Sequence, residues 1–323
     1  RDRGAVSHAP GGEPSFLSPR VLVPFALITL IWGSTWLVIV DQVRAVPPSW
    51  SACYRFVIAG VAMAAFAWWR GDGLRLDARG MRLAALLGIA QFALNFAFVY
   101  RAEQYITSGL VAVLFALLIV PNALFGRLFL KRAIGVRFFA GSAVAAVGVA
   151  LLIVHEYRAA PVGPEAVMLG TLLTLCGIAS ASAANIPQAT RAVQTYPITT
   201  MLAWAMLIGA AANGLFALAT VGAPVAEARW SYWAGTAYLG IMGSVVTFPL
   251  YFGLIRDIGP GKAAYSSVTT PIVAMALSTL FEGYRWSALA VAGGVVAMAG
   301  LVIAMQANPR RARAGRGGGS DVR

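Results

Sequence analysis

The side chains able to do chemistry within the apolar bulk of this 323-residue chain are almost all uncharged. Trp32 and Trp36 stand one helical turn apart, so they share a face of any helix that carries them. Gln91 and Asn95 repeat that spacing, and Ser182 and Asn185 sit one step closer. Tyr100, Phe248, Tyr251, Tyr265 and Thr269 add rings and hydroxyls in similar surroundings. Groups of this kind stack and hydrogen-bond, but unaided they neither shuttle protons near neutral pH nor attack a carbonyl. The usual acid–base residues are elsewhere. The only histidines are His8 and His155, and the only cysteines, Cys53 and Cys176, lie far apart inside apolar runs. Every carboxylate falls in a tail, a loop or at the end of an apolar run. No nucleophile–base pair and no metal-ligand spacing results, so neither a catalytic group nor a cofactor is expected. What these residues support is recognition of a small, neutral or zwitterionic, partly apolar molecule.

Such groups need a scaffold that keeps them from bulk water. Hydrophobic residues are 59% of the chain and charged residues 11%, with a mean hydropathy of +0.75. A soluble domain carries roughly a quarter charged residues, so this chain is an integral membrane protein. Ten apolar segments lie near 21–40, 49–69, 83–101, 106–126, 137–154, 165–187, 197–219, 231–254, 263–281 and 287–306. Each approaches the ~20 residues a helix needs to cross a bilayer. The expectation is an all-α membrane fold of ten transmembrane helices. Residues 1–20 and 307–323 are Arg/Gly-bearing, without periodicity, and read as disordered basic tails. The net charge of +13 is spread through the short gaps between apolar runs rather than gathered on one soluble face. That distribution points to membrane lipids, and not to nucleic acid, as the partner of the basic residues.

The chain also repeats itself. A shift of 152 positions lays Ala85, Leu87, Gly88 and Ile89 on Ala237, Leu239, Gly240 and Ile241. The same shift lays Gly141, Ala145 and Gly148 on Gly293, Ala297 and Gly300. Residues 21–154 and 165–306 are therefore read as two five-helix repeats. With both termini inside, the inner loops and tails hold 19 Lys and Arg, while the outer loops hold one each: Arg44, Arg101, Arg158, Arg229 and Arg285. Cytoplasmic loops are enriched in Lys and Arg, so both termini are expected in the cytoplasm. Five spans per repeat is an odd number. The second copy should therefore enter from the opposite side, giving the inverted repeats common in secondary transporters.

Specific motifs narrow the class. Ile31-Trp32-Gly33-Ser34-Thr35-Trp36, Tyr54-Arg55-Phe56 and Ala102-Glu103 followed by Ser108-Gly109 stand in the first copy. Gly243-Ser244, Tyr251, Pro271-Ile272 and Phe281-Glu282 stand in the second. With these motifs the chain resembles EamA-type transporters of the drug/metabolite transporter superfamily over essentially residues 21–306. Lys131 departs from the pattern, standing near where many members have a Glu. The resemblance implies a ten-helix inner-membrane carrier, an exporter of amino acids, other metabolites or drugs. A facilitative uptake carrier, a channel and a membrane-embedded enzyme are the alternatives. The last lacks acid–base groups at membrane depth, and a channel would want rings of charge or a filter loop. The resemblance leaves homodimerisation open.

The expected site lies where the repeats meet. Trp32, Trp36, Gln91, Asn95, Tyr100, Ser182, Asn185, Phe248, Tyr251, Tyr265 and Thr269 are its candidate lining, with plain helix packing as the alternative for each. Pro121, Pro249 and Pro271 free backbone carbonyls and kink helices that must open and close, although membrane helices also tolerate proline for structural reasons. Glu103 and Glu282 fall near the mouths of helices and are expected to act in gating. Arg55 is the one charge within a span; a structural pairing with a carbonyl or Asp41 is favoured over a substrate carboxylate. With no acid at mid-span, proton coupling has no support and facilitated diffusion or exchange stays open.

Overall fold

A computed structural model describes residues 18–131, 134–159, 161–188, 193, 195–251, 253–254 and 266–306. Among these there is no strand. The helices are α1 Pro19–Ala45, α2 Pro48–Trp69, α3 Ala78–Ala102, α4 Ser108–Leu130 and α5 Val136–Ala159. They continue with α6 Pro164–Gln188, α7 Ile198–Thr220, α8 Trp230–Tyr251, α9 Ser266–Phe281 and α10 Ala288–Met305. Nine of them are long and apolar enough to cross a bilayer, and α9 is described for 16 residues. Several begin earlier than the apolar runs suggest. For α3 the reason is Asp77, whose side chain accepts from the Gly80 amide at 2.7 Å and caps the first turn.

The outer face is apolar, as lipid requires. Leu30, Val61, Leu128 and Val295 are exposed along helix flanks. Trp68, Trp69 and Trp230 are exposed at helix ends, where amphipathic rings anchor in the headgroup region.

Inside, small residues let helices touch. A Cβ on Gly148 would lie 2.1 Å from the Ala297 nitrogen, and one on Gly300 2.2 Å from the Ala145 nitrogen. The backbones of α5 and α10 are therefore in direct contact, and any larger side chain would force them apart. Gly141 faces Ala304 while Gly148 faces Ala297, so these helices run antiparallel. They are the last helices of the two sequence repeats. The second helices, α2 and α7, also pack antiparallel, with Gly60 against Leu207 and Gly214 against Cys53.

Two irregularities stand at equivalent places. Within α3 the turns Gly88–Asn95 are π-helical, and within α8 so are Ile241–Val246. The 152-residue shift carries the first onto the second within one residue at either end. A π turn inserts one extra residue into the helix and leaves backbone carbonyls short of their regular partners, frequently at functional positions. In α4 the helix breaks at Leu117–Leu118. Pro121 explains this, since it has no N–H for the Leu117 carbonyl and its ring crowds that oxygen.

Candidate functional site

The π turn of α8 faces α1. Trp32 donates from Nε1 to the Thr247 hydroxyl at 2.9 Å and to the Gly243 carbonyl at 3.3 Å. Its ring meets Phe248 edge-on at 5.9 Å and Tyr251 at 5.3 Å between centroids. Phe248 in turn meets Phe92 of α3 at 6.1 Å. Trp32, Phe248 and Tyr251 are thus brought together, with Gly243, Thr247 and Phe92 completing the junction. A neighbouring bond joins Thr29 of α1 to Thr269 of α9 at 3.0 Å.

On the opposite side, α6 packs against α3 and α4. Asn95, at the end of the α3 π turn, is buried with Oδ1 lacking a hydrogen-bond partner, and it faces α6 at Gly177. Ser182 is buried with its hydroxyl also unbonded. Asn185 donates to Asn122 of α4 at 3.2 Å. The α1–α9 and α6–α4 contacts join corresponding helices of the two repeats.

Other candidates go elsewhere. Trp36 turns to Phe115 of α4, at 5.1 Å between centroids, with its indole nitrogen unbonded. One turn advances the chain roughly 5.4 Å along the helix, enough for the two tryptophans to meet different neighbours. Gln91 sits half-buried in the α3 π turn. Tyr265 lies outside the described residues, as do 1–17 and 307–323 of the tails, while Pro19 and Arg20 belong to α1.

The expected pairing of Arg55 with Asp41 is not formed. Asp41 instead accepts from Arg229 at 3.3 Å in an exposed ion pair, because it sits at the far end of α1, level with the loop that carries Arg229. Nor does Arg55 bond to a carbonyl among the described residues. It is 3% exposed, its Nη1 donates to the Tyr100 hydroxyl at 3.5 Å, and its guanidinium lies 4.5 Å from the centroid of Phe96 and 5.1 Å from that of Phe56.

Beyond Tyr100, at the ends of α3 and α9, stand two carboxylates. Glu282, just past α9, accepts hydrogen bonds from the backbone N–H of Ser108, at 3.2 Å, and from its hydroxyl. A carboxylate at the amino end of α4 is favoured by the helix dipole as well as by those bonds. Glu103, just past α3, is buried with neither oxygen hydrogen-bonded. Burial above all, then the nearby Glu282, raises its pKa well above the ordinary carboxyl range, while Arg55 pulls it the other way. His155 of α5 bridges the Arg285 carbonyl at 3.0 Å and the Ser287 hydroxyl at 2.9 Å. The opposite end differs. There a cavity of about 460 Å³ is lined by Arg70, Asp72, Tyr196, Thr199, Pro249 and Gly253 among others.

Sequence reasoning missed Thr29, Phe92 and Ser108. Thr29 was findable, since it stands three residues before Trp32 and so shares its face. Ser108 stands in a family motif that gives it no role, and nothing local distinguishes Phe92; their partners are 174 and 156 residues away.

A polytopic helical bundle with a polar and aromatic junction between helices and a cavity at one end has the form of a membrane carrier. The chain belongs to the EamA-like transporter family, which it matches over residues 21–154 and 168–306. It is 29% identical over 286 residues to the uncharacterized inner membrane transporter YedA of Escherichia coli K12, covering 87% of this chain and 89% of that one. It is 25% identical to the uncharacterized transporter YdfC of Bacillus subtilis, covering 87% of this chain and 90% of that one. With protein PagO of Salmonella typhimurium the identity is 26%, over 83% and 86% of the two chains. A solved crystal structure shares the fold with a TM-score of 0.63 at 22% identity, over 88% of this chain and 96% of the other.

Proposed function

We propose that the protein is an inner-membrane secondary carrier that exports small neutral or zwitterionic metabolites, amino acids among them, by alternating access. It acts as a carrier and not as an enzyme. The observation that carries the reading is the pair of π turns at equivalent positions of α3 and α8. They present Gln91 and Asn95 from one repeat and, from the other, the Gly243 carbonyl and the Thr247 hydroxyl that Trp32 of α1 bonds. Helices that bend at matched points suit two halves that rock about a shared site. The antiparallel packing of α5 on α10 and of α2 on α7 supports an inverted relation between the repeats, because equivalent helices of inverted copies must run opposite ways.

The two ends support a direction for the opening. The end holding the 460 Å³ cavity carries Arg70 and follows the Arg-rich loop, which the charge bias assigns to the cytoplasm. At the other end Glu282 bonds Ser108 and Glu103 is buried. This arrangement suits an inward-open carrier awaiting substrate.

The test is flux in proteoliposomes loaded with labelled amino acids. Saturable efflux, accelerated by unlabelled substrate on the far side, is the expected result. Linear flux without saturation would indicate a channel, and chemical conversion of the solute an enzyme. Net uptake in cells under the same gradient would reverse the assigned direction.

A further inference from the structure

Arg55 is a buried cation whose hydrogen bonds are incomplete in a particular way. Among the described residues no carboxylate oxygen lies within salt-bridge distance of it, and no carbonyl accepts from it. Nη1 is taken by Tyr100, and Phe96 and Phe56 lie against the guanidinium. Nε is buried without a partner, and Nη2 makes no hydrogen bond. Nε and Nη2 form one edge of the guanidinium, the edge that meets both oxygens of a carboxylate side by side. Nη2 lies near α8 at Gly243: a Cβ built there would stand 3.5 Å from Nη2 and 2.9 Å from the Thr35 methyl carbon. The Gly243 carbonyl is the one Trp32 bonds. The free edge and the aromatic junction therefore share one π turn.

A buried charge is costly unless paired and hydrogen-bonded. The acids around Arg55 do not supply this. Glu282 is committed to Ser108. Glu103 makes no hydrogen bond to Arg55 or to any other described group.

We propose that Arg55 is the carboxylate-binding group of the carrier, held by Tyr100, Phe96 and Phe56 so that its Nε–Nη2 edge takes the substrate carboxylate beside Gly243. The substrate class is then a monocarboxylate, zwitterionic α-amino acids included, and not an amine or a neutral solute. One arginine suits one negative charge; a polyanion would need several. This rests on the carrier reading above and moves its substrate from neutral solutes to carboxylate-bearing ones.

Thermal unfolding of the purified protein in detergent tests it with matched probes. L-leucine is compared with isoamylamine, which lacks the carboxylate, and isocaproate, which lacks the ammonium. L-phenylalanine is compared with phenethylamine and hydrocinnamate. Wild type should respond to at least one carboxylate-bearing probe at concentrations about tenfold or more below those of its matched amine, as expected for a charge-assisted contact. R55Q should abolish that preference while leaving any response to the amine. R55K should keep part of it, since lysine retains the charge but not the fork. If R55Q does not fold, R55K and Y100F decide, because both should shrink the preference while the amine response holds. An amine that binds as well as its acid, or an R55Q or R55K protein with undiminished carboxylate preference, overturns the assignment and leaves the carrier reading intact. A wild type that responds to none of the six probes, and moves none in proteoliposomes, removes both.

Discussion

Glu103 and Trp32 show how far a residue's environment changes what its type implies. Glu103 follows the end of an apolar run, which suggests a wetted acid, yet it is 5% exposed and its oxygens are unbonded. Its folded pKa is raised above the ordinary 4.5. The folded protein therefore keeps a proton that the unfolded chain releases, and stability falls as pH rises from that ordinary value toward the raised one. Melting temperature in detergent should show this decline, and Glu103→Gln should flatten it; equal pH slopes in the two proteins would assign the effect elsewhere. Trp32 is tested by Trp32→Phe, which keeps a ring but loses the donor to Thr247 and Gly243, worth about 0.5–1.5 kcal/mol. Trp32→Ala and Tyr251→Ala remove ring contacts as well. Transport should fall in that order while membrane levels stay near wild type. Loss that simply tracks protein abundance would make the junction mere packing.

At the level of the helix, the contacts that matter are those that only small residues permit. Gly148 meets Ala297 and Gly300 meets Ala145 across the α5–α10 seam. Gly148→Val puts three carbons where none fits, and overpacking of this kind costs about 1–3 kcal/mol. Both the yield of folded protein and its melting temperature should drop, with any remaining folded protein keeping its substrate preference. A variant that melts like wild type would show that the seam can open without cost. The Asp77 cap of α3 accounts for a start five residues ahead of the apolar run, since capping depends on one polar side chain and hydropathy does not register it. Pro121, by contrast, marks a break in α4, because its missing N–H leaves the Leu117 carbonyl without its regular partner, whereas Pro24 and Pro271 stand within helices that continue past them.

For the whole molecule, orientation remains a proposal with a direct measurement. Reporter fusions at Gly73 and Asn308 should report the cytoplasm, and one at Gly163 the outside. An outside signal from Asn308 would remove the inverted repeat, because that relation needs an odd number of spans in each copy. An outside signal from Gly73 would place the cavity beside Arg70 on the other side of the membrane.

Composition, hydropathy and the internal shift together were enough for a membrane-embedded helical bundle built from two like halves. Such properties depend on segment length and transfer energy, which are sums over local sequence. The motifs carried the family for the same reason, being short and contiguous. The pairing of side chains was not legible. The sequence suggests a carbonyl or Asp41 as the partner of Arg55, but what lies near a buried arginine depends on how α1, α2 and α8 cross, and Asp41 goes to Arg229 instead. The two tryptophans of α1 share a face in sequence but meet different helices in space. The π turns lie in unremarkable apolar segments, and only packing against neighbouring helices distinguishes an eight-residue π turn from regular helix. Local energies determine that a segment becomes a membrane helix; contacts among helices, between residues from 45 to 240 positions apart, determine which polar groups meet.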